Sequence, residues 1–287
     1  MNCVCCDSTK INQNSIESKK YYLCNNCGLL FAESYNPKES IDSLRNHYGN
    51  DDPHESVSHS KKKFYKLVLD YMSSKIDRKR KKILDVGCGF GYFLAIALKS
   101  GWEPNGIEVV QDAVESCGEK FGYGNVFKGK MVEASLAEKS FDAITLWDVL
   151  AIVDNPNNEL KECYRLLKKR GIIGIRIRNV VFQLFAYRLF NPIRQIASRL
   201  DLKEPYVFNR FCFSSNSIHT LLNRAGFINI EITNSPLTSG DPYGHMDSRF
   251  PVKVAKYFIN ILSKLTYWIS RGRVLTGPSL LIWAEKP

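Results

Sequence analysis

Two sets of residues in this chain have the types and spacing to do chemistry. Cys3-x-x-Cys6 and Cys24-x-x-Cys27 each place two thiols one tight turn apart, with residues 7 to 23 between the pairs. If that intervening stretch folds as a hairpin, the two turns present four thiolates to one tetrahedral Zn2+. Four thiolates fill the coordination shell and leave no position for water, so such an ion would be structural. Tyr21-Tyr22-Leu23 reads as a strand before the second pair and Gly28-Leu29-Leu30-Phe31 as a knuckle after it, while Cys5 is a spare thiol beside the first pair. The second set is Ile83-Leu84-Asp85-Val86-Gly87-Cys88-Gly89-Phe90-Gly91, an apolar strand that ends in a carboxylate and runs at once into alternating glycines. Gly87, Gly89 and Gly91 permit positive φ and close backbone approach in a strand-to-helix turn, and Tyr92 to Lys99 reads as the helix. A nucleotide-sized ligand can lie against that bare backbone.

The glycine spacing separates two cofactor classes, because the dinucleotide fingerprint G-x-G-x-x-G needs glycine where this chain has Tyr92. A dinucleotide site holds a pyrophosphate at a helix N-terminus, whereas S-adenosyl-methionine presents an ammonium and a sulfonium, which the Asp85 carboxylate suits. Glu108, at the end of Gly106-Ile107-Glu108-Val109-Val110, follows the turn at the distance one βαβ unit requires, about 20 residues. From Asp85 to Gly91 the chain resembles the signature of class I S-adenosyl-methionine-dependent methyltransferases, and the resemblance extends over about residues 80 to 235. It implies that Asp85, Gly87, Cys88, Gly89 and Gly91 bind the cofactor and that Glu108 accepts its ribose hydroxyls. Phe141-Asp142-Ala143-Ile144-Thr145-Leu146-Trp147 looks like the family's fourth strand, whose tip lines the methionine part, with Leu146 and Trp147 as contacts. Asn155 to Ile175 resembles the helix, glycine turn and fifth strand of the small-molecule branch. Where many relatives carry Glu-His after the fourth strand, this chain has Ala151-Ile152, so that histidine's role as a base does not carry over.

The elements that must position these groups follow. With 287 residues and 44% hydrophobic composition, the chain can bury the core of one large domain with an appendage. The expected fold is α/β: a Rossmann-like seven-stranded methyltransferase sheet with helices on both faces, plus a small N-terminal zinc ribbon. The ribbon takes residues 1–34, a linker, lid and first helix take 35–80, and the methyltransferase domain takes 81–287 with cap insertions at about 180–213 and 236–272. His47, Tyr48, His54 and His59 fall in the polar stretch before the first helix, which shows Phe64, Leu67, Val68 and Tyr71 at helical intervals. Lys61-Lys62-Lys63 and Arg78 to Lys82 supply much of the net charge of +11 and read as solvated helix flanks. Ser214 to Phe227 reads as the last family helix, with His219 a packing residue. Ile228 to Ile232 follows as strand six and Ser279 to Ala284 as an antiparallel seventh. Cys88, Cys117, Cys163 and Cys212 read as small buried hydrophobes.

Substrate contacts are expected on the loop after strand six, where Asp241, Tyr243 and His245 lie at a strand's carboxyl end. His245 and Asp241 are the candidates for a base and Tyr243 for a substrate contact. Ile175-Arg176-Ile177-Arg178 puts two arginines on a strand that should be nearly continuous in apolar residues. Arg178 is therefore read either as a binder of a substrate carboxylate or phosphate, or as half of an internal ion pair. Residues 252–269 form an amphipathic basic helix, read first as packing in the domain interior or a cap and second as lying on an anionic membrane surface. No leader and no apolar run of about 20 residues is seen, so a cytoplasmic protein is expected. The reading is a methyltransferase for a small molecule, anionic where Arg178 is its binder, acting on oxygen of a sugar, glycan precursor or quinone-like metabolite. One alternative is an rRNA or tRNA methyltransferase gripping phosphates with its basic surface and ribbon, against which residues 1 to 60 are net acidic. Another is an inactive binding module, against which Asp85, the three glycines and Glu108 are all intact.

Overall fold

The computed structural model describes residues 1–17, 19–33, 59–77, 79, 81–121, 125–194, 206–238 and 250–287. Two compact units divide the chain: Met1–Tyr35, Ile177–Thr220 and Ile232–Leu281 form one, and Asn36–Arg176, Leu221–Glu231 and Ile282–Pro287 the other.

In the first unit, β1 (Ile11–Ile16) and β2 (Lys19–Cys24) pair antiparallel with Ile11 opposite Cys24, and β3 (Leu30–Ala32) follows antiparallel with Tyr21 opposite Ala32. The hairpin register brings the end of β2, which carries Cys24, back toward the N-terminal cysteine turn.

Among the described residues, the second unit holds α1 (His59–Lys75), followed by β4 (Lys81–Val86), α2 (Tyr92–Lys99), β5 (Trp102–Glu108), α3 (Gln111–Phe121), β6 (Val126–Lys128), β7 (Phe141–Trp147) and α4 (Pro156–Leu166). The α4 N-terminus is set by Asn155, whose side chain accepts from the Asn157 and Asn158 N–H groups, with Pro156 at the first helical position. α1 buries Phe64, Tyr65, Val68, Leu69 and Met72, whereas Leu67, expected on the packed face, is exposed. The reason is that Leu67 and Leu69 belong to two competing helical faces, and only the one continuous with Met72 meets the sheet. Gly174 allows that close approach: a Cβ there would lie 2.6 Å from Trp283 Cζ3 and 2.8 Å from Met72 Cε.

The long β8 (Leu167–Arg178) crosses from the second unit into the first, leading to α5 (Val180–Phe190), β9 (Phe211–Cys212), α6 (Ser215–Arg224), β10 (Ile228–Asn234), α7 (Phe250–Ile269) and β11 (Ser279–Glu285). The seven-stranded sheet runs β10-β11-β8-β7-β4-β5-β6. β4 is parallel to β5 and β7, with Asp85 between Gly106 and Thr145 in register. Chain order reverses at β4, leading outward to β5 and β6 on one side and to β7 and β8 on the other. Open α/β sheets bind ligands at the carboxyl ends of the strands flanking such a reversal. β7 is buried along nearly its whole length, as a strand covered on both faces requires. Its one acid, Asp142, is held by Lys168 Nζ at 2.9 Å and the Lys82 N–H at 2.8 Å.

β9 lies antiparallel on β3, Phe31 opposite Phe211, and extends the small sheet to four strands in the order β1-β2-β3-β9. The stretch expected as a cap insertion at 180–213 thus contributes a strand to the cysteine-bearing sheet. Ser214 Oγ donates to the Cys27 carbonyl at 2.8 Å and Asn216 Nδ2 to the Asn26 carbonyl at 3.3 Å, which seats the second knuckle on the start of α6. His219, on α6, is exposed rather than packed. Among the described residues, no helix is long and apolar enough to cross a membrane.

Candidate functional site

The turn after β4 has the backbone that its glycines predict. Gly87, Gly89 and Gly91 have φ of 71°, 53° and 73°. The Gly87 and Cys88 N–H groups donate to the Ile107 carbonyl at 2.7 and 3.0 Å, which pins the turn to β5. A Cβ on Gly87 would come within 2.4 Å of Val149 Cγ2, so this position tolerates no side chain on two counts. Cys88 turns its side chain into a buried cluster with Leu94, Val114, Cys117 and Val126 and fills the space over Gly106. It offers a ligand its backbone alone. The neighbouring Cys117 and burial hold the Cys88 thiol well above the ordinary thiol range, as befits a small hydrophobe.

Two carboxylates flank the turn. Asp85 is 1% exposed, and its Oδ1 accepts from Thr145 Oγ1 at 2.6 Å. Burial pushes its carboxyl up to about 8, against the Thr145 bond and with the help of the Glu108 charge. Glu108 is also buried, but its carboxylate is already engaged: Oε2 accepts the Gly89 N–H at 2.9 Å and Oε1 the Val109 and Val110 N–H groups at 2.8 and 2.9 Å. Burial raises its pKa and these three bonds lower it. A carboxylate offers about four acceptor sites, so one is left after three backbone bonds. Accepting both hydroxyls of a ribose therefore requires sharing or releasing one of them.

At the tip of β7, Leu146 has no accessible surface, while Trp147 is half-buried among Phe64, Phe93 and Tyr65 at ring distances of 5.5, 5.5 and 6.3 Å. The buried Trp147 indole N–H has no hydrogen-bond partner. Asp148 follows it with φ of 63°, a conformation that costs a non-glycine residue strain. Its N–H donates to the Arg176 carbonyl at 2.9 Å, and its Oδ2 lies 3.7 Å from Arg176 Nη1. The Arg176 guanidinium also lies over the Phe64 ring at 5.5 Å. An internal ion pair is thus found on this strand at Arg176, the neighbour of the Arg178 for which one was weighed. Asp148 was not among the sequence candidates, although an acid at the tip of a parallel strand is the same signal that marked Asp85 and Glu108. Arg178 is half-buried at the end of β8, and its charge offsets part of the burial that pushes the Cys212 thiol up to about 12. Asp241, Tyr243 and His245 lie outside the described residues, as do His47, Tyr48 and His54.

The cysteine cluster is assembled. The Sγ atoms of Cys3, Cys6, Cys24 and Cys27 all lie within 4.8 Å of one another, with Cys3 to Cys27 and Cys6 to Cys24 both at 3.6 Å. Zn–S bonds of about 2.3 Å in a tetrahedron require sulfur separations of about 3.8 Å, so this donor set fits one zinc ion with little rearrangement. Asn26 Nδ2 donates to Cys6 Sγ at 3.5 Å, the kind of outer contact that orients a thiolate ligand. Cys5 is committed elsewhere, donating to the Ser217 carbonyl at 3.0 Å.

A parallel sheet with an acid-flanked glycine turn at its order reversal defines a nucleoside-binding α/β domain. Residues 57–232 match the model of the methyltransferase domain family, more than half of the chain, and the chain belongs to that family. A ubiquinone biosynthesis O-methyltransferase of Xanthomonas oryzae pv. oryzae is 30% identical over 123 residues, 41% of this chain and 52% of the relative. One of the same name from Dechloromonas aromatica is 29% identical over 129 residues, 42% of this chain and 55% of the relative. The chain thus spans about half the length of the curated relatives it matches. The structure of phosphoethanolamine N-methyltransferase 2 from Haemonchus contortus, in complex with S-adenosyl-L-methionine, superposes with a TM-score of 0.53 at 16% identity, covering 89% of this chain and 58% of that one. At that identity the likeness establishes the methyltransferase fold and nothing finer.

Proposed function

We propose that this protein transfers a methyl group from S-adenosyl-methionine to an oxygen of a small molecule, of the quinone-like, sugar or glycan-precursor kind. The observation that carries the proposal is the pair of buried carboxylates, Asp85 and Glu108, on either side of a three-glycine turn. When bound, the cofactor supplies a methyl group activated on a sulfonium. Asp85 offers negative charge to its cationic end, Glu108 its remaining acceptor site to the ribose, and Gly87, Gly89 and Gly91 the bare backbone against which a nucleoside lies. Trp147 brings an unengaged N–H and an aromatic face to the tip of β7. Displacement at a methyl carbon needs no protein nucleophile, so the chain's work is to orient the acceptor and exclude water. A hydroxyl acceptor must lose its proton, and His245 or Asp241 takes it in this reading. Arg178 and Tyr243 bind the acceptor, Arg178 through an anionic group.

The quinone-like branch is favoured by the names of the curated relatives. Peripheral contact of residues 252–269 with a membrane accords with an acceptor of that kind. Cys3, Cys6, Cys24 and Cys27 hold a structural Zn2+ in the same reading, and the protein works in the cytoplasm. Calorimetric titration with S-adenosyl-methionine tests the central claim. One-to-one binding that Asp85→Ala weakens by about ten-fold or more supports it. Wild-type protein that binds neither the cofactor nor its demethylated product overturns it. Incubation of phenolic and catecholic quinone precursors with methyl-labelled cofactor, read by mass, then tests the acceptor class.

A further inference from the structure

α7 is turned inside out for a helix of a water-surrounded domain. Phe258, Leu262, Leu265, Trp268 and Ile269 are exposed, Phe258 to 64% and Trp268 to 78%. The inward side carries hydroxyls instead: Ser263 is buried, the Ser263 carbonyl accepts from Asn234 Nδ2 at 3.3 Å, and Thr266 Oγ1 bonds Thr276 Oγ1 at 2.6 Å. An amphipathic helix that packs on a core does the reverse. Over 257–269 the apolar side chains of the helix are thus mostly on the solvent side, contrary to the first reading of this stretch as packed.

A second helix of the same unit repeats the arrangement. On α5, Val181, Phe185 and Leu189 recur every four residues and are all exposed. The start of α5 is held to the segment that follows α7, since the α5 N-cap Asn179 donates through Nδ2 to the Leu275 and Gly277 carbonyls at 2.9 and 3.0 Å. Apolar exposure of this extent on a single unit marks an interaction surface.

Charge selects the partner. From Phe250 to Ala284 the sequence holds Lys253, Lys256, Lys264, Arg271 and Arg273 and no acidic residue. From Val180 to Arg194 it holds Arg188 and Arg194, again with no acid. Lys264, Arg271, Arg273 and Arg188 are all exposed. Aromatic and aliphatic side chains with cations and no anion match the boundary between anionic headgroups and acyl chains. A second copy of this chain would bring like charges together.

We propose that α5 and α7 together form a docking face for the surface of an anionic phospholipid bilayer, with the aromatic side chains entering the acyl boundary and the lysines and arginines at the headgroups. This deepens the membrane part of the proposed function and rests on the two helices alone. Its test needs no methyl transfer, so its failure is separable from failure of the catalytic reading. The full chain is to be sedimented with vesicles of phosphatidylcholine alone and of phosphatidylcholine with phosphatidylserine. Binding to the anionic vesicles at least about ten-fold tighter, weakening with salt, is expected. Phe258→Ser with Trp268→Ser abolishes binding, and Lys264→Glu with Arg271→Glu and Arg273→Glu abolishes the anionic preference. Both variants keep the wild-type melting temperature because the replaced side chains are exposed. Absence of vesicle binding, equal binding to both vesicle types, binding unchanged in either variant, or a concentration-dependent dimer lost in the Phe258→Ser, Trp268→Ser variant without vesicle binding each overturns the proposal.

Discussion

Glu108 Oε2 accepts the Gly89 N–H at 2.9 Å, so the acid at the tip of β5 also latches the glycine turn that follows β4. Its other oxygen closes the start of the next segment through the Val109 and Val110 N–H groups. One buried carboxylate thereby fixes two adjoining loops of the site. Any hydroxyl it accepts from a ligand shares it with those bonds, which couples ligand binding to the stiffness of the turn.

Glu108→Gln tests that coupling. The amide keeps the shape but offers one acceptor oxygen where three N–H donors converge, so at least one donor faces an NH2 group. A buried donor left unsatisfied costs about 1–3 kcal/mol. We expect a lower melting temperature together with cofactor affinity weakened by about ten-fold or more in calorimetry. A lower melting temperature with unchanged affinity would reduce Glu108 to a latch without a ligand role.

Asp85 makes a prediction in pH. Its carboxyl is held up at about 8 by burial, whereas in the unfolded chain it titrates near the ordinary value of about 3.9. A raised pKa contributes stability that is complete below the unfolded value and lost as pH rises through the folded one. The cofactor-free protein should therefore lose stability between about pH 4 and pH 8 on this group's account, and Asp85→Asn should flatten that stretch of the profile. A cation seated beside the carboxylate lowers its pKa, so cofactor binding near neutral pH should release protons. Calorimetry in two buffers of different ionisation enthalpy reads that release directly, and identical enthalpies in both would remove Asp85 from the cationic end of the site.

What was legible in the sequence is what depends on spacing along the chain. The Asp85 to Gly91 turn, Glu108 one βαβ unit later and the two cysteine turns are all local patterns, and all appear where expected. Contacts between distant segments were not legible. Nothing within a few residues of Phe211 announces that it pairs with Phe31, and nothing near Asp148 announces Arg176 on the neighbouring strand. α7 shows a subtler limit: periodicity of 3.6 establishes that a helix has two faces but not which of them meets solvent. The same ambiguity misassigned Leu67 on α1, where two apolar faces compete.

The Asp148–Arg176 pair answers a different question, whether this strand tip is built for charge or tolerates it. Arg176 is 5% exposed, and Asp148 opposes it at 3.7 Å with a partly solvated side chain. Removing one member of a buried pair costs about 3–5 kcal/mol because the remaining charge loses its counterpart. Asp148→Asn should approach the lower end of that range in urea unfolding, and Asp148→Asn with Arg176→Met should recover most of the loss. If the double variant is stable but its kcat falls while Asp148→Asn alone leaves kcat unchanged, Arg176 matters for the site beyond its role in folding. Equal stability of wild type and Asp148→Asn would show that the pair contributes nothing.

The cysteine cluster gives the sharpest outcome, because four thiols at these separations either hold a metal or crowd one another for no return. Protein of this sequence prepared without added metal should carry about one zinc per chain by elemental analysis. Cys24→Ala should lose it, and Cys5→Ala should keep it, since the Cys5 thiol already donates to the Ser217 carbonyl. Metal loss should act through the small sheet. Cys27 is joined to α6 through Ser214, and β3 carries β9, so chelation should raise amide exchange at Leu30–Ala32 and Phe211–Cys212. Exchange in β4 and β7, in the other unit, should change little. Wild-type protein that binds no zinc yet shows full protection at β3 and β9 would mean that packing alone holds this sheet, with the four thiols kept for another purpose.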